Sequence, residues 1–208
     1  MTDAVADLLA EHGQTYAAEA GITLRDKPAP LFQLLVLSQL ASTRISAAIA
    51  TATARELFRT GWRTPQRMRR STWQQRVDAL GRGGYRRYDE STATALEQLC
   101  DRLLEEHRGD LRRIRPAETG AGVAGLEQEL IRFQRIGPAG AGIFCREVQA
   151  VWPEVAPYFD ERAREEAGRR GLPTDPAGLG RLVDDDPGRV ATLAAALVRA
   201  ALDRTRHH

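Results

Sequence analysis

Apolar residues recur three and four positions apart along almost the whole chain, and no segment alternates apolar with polar. That spacing is the period of helices buried on one side, and the scattered β-branched residues supply no run suited to a strand. An all-α fold is therefore expected. The most apolar run, Leu31 to Leu40 (LFQLLVLSQL), is hydrophobic around its whole circumference, as a helix enclosed by other helices must be. The 208 residues suffice to enclose it in one large domain or two small interleaved ones.

Start and stop signals place the remaining helices. They are expected over residues 3–20, ending at Gly21, and over 45–59 with Ser46 in the first turn; Lys27-Pro28-Ala29-Pro30 reads as a connector. Thr64-Pro65 and Ser71-Thr72-Trp73 open two short helices, by proline preorganisation and hydroxyl capping. Beyond the glycine-rich turn Gly81 to Tyr88, helices are expected over 89–108, 126–134, 161–170 and 188–204, with a loop over 115–125. No apolar run is long enough to span a bilayer and no signal peptide is visible, so no membrane partner and a cytoplasmic location are expected.

The stretch Leu130 to Asp160 (LIRFQRIGPAGAGIFCREVQAVWPEVAPYFD) reads differently from the rest. It is a helix, a tight turn at Arg135-Ile136-Gly137-Pro138, a second helix of small residues, and a proline-rich loop ending in one carboxylate. Small residues let a backbone approach a ligand, and a helix start directs free N–H groups and a positive dipole end outward, which suits a phosphate. A plain αα-turn accounts for the same residues. Asp160 serves equally as the N-cap of the helix after it.

Composition limits the alternatives. The formal net charge is +2, so affinity for a polyanion has to come from local patches; the cations are almost all arginine, and Lys27 is the only lysine. Cys100 and Cys145, the only cysteines, fall on apolar helix positions and read as buried free thiols. They cannot by themselves build a zinc or iron–sulfur site. Asp184-Asp185-Asp186 has no metal-ligand spacing, and His12 and His107 stand alone. No cofactor or metal is expected. Trp62, Trp73 and Trp152 read as core, and Arg67, Arg69 and Arg70 as surface charge. Arg82, Arg86 and Arg87, interleaved with Tyr85 and Tyr88, either line a nucleic-acid groove or form a solvated helix start. His207 and His208 resemble the remnant of a purification tag and are left out of the functional reading.

Four segments, in order, resemble the helix-hairpin-helix DNA glycosylase superfamily, of the endonuclease III type. Leu34 to Ile49 is similar to that family's buried helix and following loop. Gly84-Tyr85-Arg86-Arg87, leading into a helix with Ala93 and Leu96, is similar to its Gly-aromatic-x-x-Lys-Ala segment. Leu130 to Ala141 resembles the hairpin, and Asp160 falls near the catalytic aspartate. The resemblance covers roughly residues 28–170. It implies two helical subdomains with a cleft between them, a barrel over 28–125 and a second unit from 1–27 plus 126–206. It also implies double-stranded DNA as partner, a nucleoid-associated location and a monomer. The DNA contacts it implies are Arg135, Ile136, Gly137, Pro138, Ala139 and Gly140 in the hairpin, Thr43 and Arg44 in the loop that plugs the duplex, and Tyr85 and Arg86.

The sequence departs from the family pattern at several places. Arg135 replaces the first hairpin glycine and Gly140 the usual threonine. Ala139 stands where the lyase branch carries its Schiff-base lysine, and that chemistry requires an amine. The C-terminal four-cysteine cluster is absent. The expectation is thus a monofunctional base-excision glycosylase. Asp160 would stabilise the oxocarbenium-like sugar or orient water, acting on a base rotated out of the stack. A non-catalytic helix-hairpin-helix DNA-binding protein is the alternative, and a helical interaction protein without a nucleic-acid role is a third.

Overall fold

The computed structural model describes residues 2–117 and 122–206, so Gly120 of the expected loop and the terminal His207 and His208 lie outside it. Among the described residues all regular structure is helical. The first expected helix is two: α1 (Thr2–His12) and α2 (Tyr16–Glu19). The break falls where the Thr15 hydroxyl accepts from Ala18 N at 3.2 Å and restarts the chain as a new cap. The central helix α3 (Pro28–Ala41) begins earlier than its apolar run, because prolines occupy its first turn instead of preceding it. A proline there lacks only an N–H that would have had no helical partner. Ser46 is the N-cap of α4 (Ala47–Arg59), not a residue within it.

Next come α5 (Pro65–Arg69), α6 (Trp73–Arg82), whose capping box pairs Thr72 with Gln75, and α7 (Asp89–His107). The hairpin helices are α8 (Val123–Ile131) and α9 (Pro138–Val148). They are followed by α10 (Glu161–Arg169), α11 (Pro176–Arg181) and α12 (Pro187–Arg206). Helix α11 is absent from the sequence reading; Asp175 caps it, and six residues are too few to show a period.

The helices form two groups around α3. Helices α4 to α7 pack on one another, α12 packs on α1, α9 and α10, and α3 packs on both α4 and α9. That central position explains why α3 is apolar all round: every residue from Leu31 to Leu40 except Gln33 is buried. Its two buried polar residues are both bonded. Ser38 Oγ donates to Leu34 O at 2.9 Å, and Gln39 Nε2 donates to Ala95 O on α7 at 3.2 Å and to Gln134 O in the hairpin turn at 2.7 Å. Gln39 thereby ties the hairpin to both groups. Cys100 and Cys145 are buried free thiols, and burial pushes both thiol pKa values upward. Trp62 is half-buried and Trp152 fully buried, but Trp73 is 41% exposed, with its indole N–H donating to Thr94 Oγ1. Its place in the core reading is corrected: α6 turns that residue outward.

Candidate functional site

The hairpin turn is built on buried apolar anchors. Phe133 and Ile136 face the core, and Ile136 N donates to Phe133 O at 3.0 Å. Between them Arg135 adopts a left-handed backbone with φ 63°. The fold therefore retains at this position the geometry that suits glycine, carried by an arginine. Its exposed side chain reaches Thr92 Oγ1 at 3.3 Å. Gly137 is the N-cap of α9 without a side-chain cap, and Pro138 follows. Such a helix start leaves its first-turn N–H groups unbonded within the helix.

Gly140 is required by a close approach. A Cβ there would lie 2.0 Å from Ser42 Oγ and 3.2 Å from Ile136 Cγ2. Helix α9 thus passes directly against the end of α3, bringing the hairpin beside the loop that holds Thr43 and Arg44. Thr43 Oγ1 lies 2.5 Å from the Tyr85 hydroxyl, which itself donates to Leu40 O at 3.1 Å. Arg44 next to it is exposed.

Asp160 is the N-cap of α10: its Oδ1 accepts from Ala163 N at 2.9 Å. The other oxygen, Oδ2, is bonded by Arg146 from α9. Burial works against the charge on Arg146, but Asp160 and Glu147 more than offset it and hold the guanidinium above its ordinary pKa. The loop carrying Asp160 is clamped by buried Gln149. Its amide donates to Tyr158 O and Arg146 O, both at 2.9 Å, and accepts from Tyr158 N at 2.8 Å. Tyr158 in turn donates from its hydroxyl to Glu127 on α8 at 2.6 Å; burial first, and then that bond, raise its pKa.

These groups line one open cleft of about 1020 Å³, walled by the 42–47 loop, the start of α9, residues 158–165 and the C-terminal part of α12. Of the expected site residues it brings together Thr43, Arg44, Pro138, Ala139 and Asp160, and Arg146, Tyr158 and Glu127 join them. Exposed Arg162 and Arg164 lie on the same wall, flanked by the exposed acids Glu161 and Glu165. Arg135 and Arg86 are exposed but lie outside this lining.

Two expected contacts are corrected. Tyr85 is fully buried and cannot reach DNA with its side chain; it buttresses Thr43 instead. Ile136 is 2% exposed with its N–H already bonded, so it anchors the turn. Arg82 is paired with Glu56 at 2.7 Å. Asp184 pairs with Arg189 and Asp186 caps α12 through Arg189 N, so the acidic run is a helix start. No group of metal-ligating side chains occurs among the described residues. His12 lies 3.7 Å from Asp203, and His107 packs against Phe133 with ring centres 5.8 Å apart.

Arg146, Gln149 and Tyr158 were missed in the sequence. The available signal was faint: Arg146 lies two helical turns beyond Ala139, on the same face of α9.

The fold is that of endonuclease III. A solved structure of a trapped endonuclease III–DNA covalent intermediate, an estranged-adenine complex, matches with a TM-score of 0.54 at 15% identity, covering 95% of this chain and 81% of that one. No protein-family model and no curated protein sequence matches.

Proposed function

We propose that this chain is a DNA glycosylase of the base-excision repair type, hydrolysing the N-glycosidic bond of a damaged or mismatched base without Schiff-base lyase activity. The observation that carries the reading is the cleft, where Asp160 faces the same space as Thr43, Arg44 and the start of the hairpin helix. Phosphate would bind at the N–H groups of Gly137, Ala139 and Gly140. Arg44 and Thr43 would fill the gap left by the rotated nucleotide, and Arg86 and Arg135 would contact the flanking backbone. Asp160 would stabilise positive charge developing on the sugar. Residues 28–125 are proposed as the barrel unit, and 1–27 with 126–206 as the catalytic unit.

Two facts support the absence of lyase chemistry. The only lysine, Lys27, caps α3 and is not part of the cleft wall, and the cleft's buried cation is an arginine, which does not deprotonate to a nucleophile. The partner proposed is double-stranded DNA, bound by a monomer in the cytoplasm at the nucleoid. The reading requires no cofactor.

A second reading, a non-catalytic DNA-binding protein, is favoured by one observation: both Asp160 oxygens are already engaged. The test is incubation of wild type and Asp160→Asn with duplexes each carrying one lesion, with and without hot alkali. Strand breaks only after alkali, lost in the variant while binding persists, support the glycosylase. Breaks without alkali contradict the monofunctional assignment. Binding without product on every lesion supports the second reading.

A further inference from the structure

The cleft wall carries two half-buried carboxylates, Asp160 and Glu127. Glu127 lies on α8, and its Oε1 accepts from the Tyr158 hydroxyl at 2.6 Å. Among the described residues its other oxygen has no hydrogen bond, and no arginine pairs with it. Other glutamates withdrawn from solvent in this chain are held by arginine: Glu56 by Arg59 and Arg82, and Glu154 by Arg115. A carboxylate taken out of water without a cation is unfavourable, so packing does not account for a glutamate at this point.

The two carboxylates approach each other around Gly142 on α9. A Cβ at that glycine would lie 3.2 Å from the Tyr158 hydroxyl and 3.8 Å from Asp160 Cβ. The hydroxyl that bonds Glu127 and the root of Asp160 therefore flank one point of the cleft wall where α9 carries no side chain. Their surroundings differ. Both Asp160 oxygens are held, by Ala163 N–H and by Arg146, which suits a fixed charge facing a cationic sugar. Glu127 keeps an oxygen that can take a proton. Tyr158, clamped in turn by Gln149, restrains the direction of that carboxylate.

We propose that Glu127 is the general base of the reaction: it takes a proton from the water that attacks the sugar, while Asp160 stabilises the developing charge. The proposal rests on the glycosylase reading of this cleft. The water oxygen bonds the anomeric carbon as the glycosidic C–N bond breaks, and the electron pair of that bond leaves on the base nitrogen. The proton passes to the open oxygen of Glu127 and then to solvent, which also protonates the departed base. Water is the only reactant the balance needs. A base that activates water beside a second carboxylate with a different task is an established division of labour in sugar-bond hydrolysis.

The test is single-turnover cleavage of duplexes carrying one uracil, hypoxanthine, oxidised guanine or alkylated purine, read as alkali-labile breaks. Glu127→Gln keeps an oxygen to accept from Tyr158 but cannot take a proton. Tyr158→Phe removes the hydrogen bond and keeps the carboxylate. On the duplex that wild type cleaves, Glu127→Gln is expected to slow the step on the order of a hundredfold or more. Tyr158→Phe is expected to lose less than about tenfold, the worth of one hydrogen bond. Both variants should bind a duplex carrying a neutral tetrahydrofuran abasic analogue as wild type does.

If the Glu127–Tyr158 bond served the loop alone, the order of the two losses would be reversed, because only Tyr158→Phe breaks it. A wild-type rate in Glu127→Gln, a larger loss in Tyr158→Phe, or a Glu127→Gln that loses analogue binding in step with its rate overturns the proposal and leaves the glycosylase reading standing. If wild type cleaves none of the duplexes, that reading falls and the proposal with it.

Discussion

Gly140 and Ser42 give the sharpest check on how the hairpin is seated. Replacing Gly140 with alanine puts a Cβ 2.0 Å from Ser42 Oγ, with Ile136 Cγ2 at 3.2 Å and Ser42 Cβ at 3.3 Å. The hydroxyl has to rotate away, which breaks its 2.6 Å bond to Ser38 O. That loss costs about 1 kcal/mol. The two tighter carbon contacts add up to about 1 kcal/mol of strain in packed surroundings. Alanine's better helix propensity returns up to about 1 kcal/mol, less in a first turn. The net expectation for Gly140→Ala is a destabilisation of about 1 kcal/mol.

In a Ser42→Ala background the hydroxyl is already gone, so the first contribution vanishes. Gly140→Ala should then be close to neutral, and the double-mutant cycle should give a coupling of about 1 kcal/mol. Urea denaturation of the four proteins measures all of these quantities. Equal destabilisation by Gly140→Ala in both backgrounds would refute the close approach of α9 to the end of α3. The cleft geometry, which depends on that approach, would have to be redrawn.

Arg135→Gly is expected to stabilise the protein by roughly 0.5 kcal/mol, since relief of a left-handed arginine outweighs the added chain entropy and the lost Thr92 contact; a lower urea midpoint would contradict this. Gln149→Leu leaves the Tyr158 N–H and carbonyl and the Arg146 carbonyl without that partner and should cost about 2–4 kcal/mol, read in the same assay. Glu56, hydrogen-bonded by Arg59 and Arg82, has its pKa lowered to about 2 from 4.5, so its contribution is complete above about pH 4.5 and lost as the pH falls towards 2. Glu56→Gln should therefore flatten the acid side of the stability profile within that window and leave its alkaline side unchanged. Ala139→Lys places an amine on an exposed cleft position; borohydride should then trap the variant, but not wild type, on abasic DNA.

The fold was legible because its signals are local and redundant. The apolar run of α3, the Thr64, Thr72 and Asp160 caps and the small residues of α9 each declare themselves over a few positions. Elsewhere context decides: Pro28 opens α3 and Thr15 splits the first helix, and neither residue type shows its role outside the fold. In the site, Asp160 could be named because it closes a proline-rich loop at a helix start, whereas Thr43, Arg44 and Ala139 were named only through the family resemblance. Tyr85 was misassigned because an aromatic flanked by glycine and arginine looks the same whether it faces solvent or supports a loop. Arg146 and Gln149 were invisible for a different reason. A polar side chain inside an apolar helix face carries no mark of its partner until the 158–160 loop folds back on it.

The central claim is that a rotated nucleotide occupies the cleft beside Asp160. The most direct measurement is a structure of the protein on a duplex carrying a neutral tetrahydrofuran abasic analogue. The account predicts the analogue's sugar against Asp160, a phosphate at the N–H groups of Gly137, Ala139 and Gly140, and Arg44 in the gap of the stack. A duplex bound on another face, or an unrotated analogue lying outside the cleft, would contradict it.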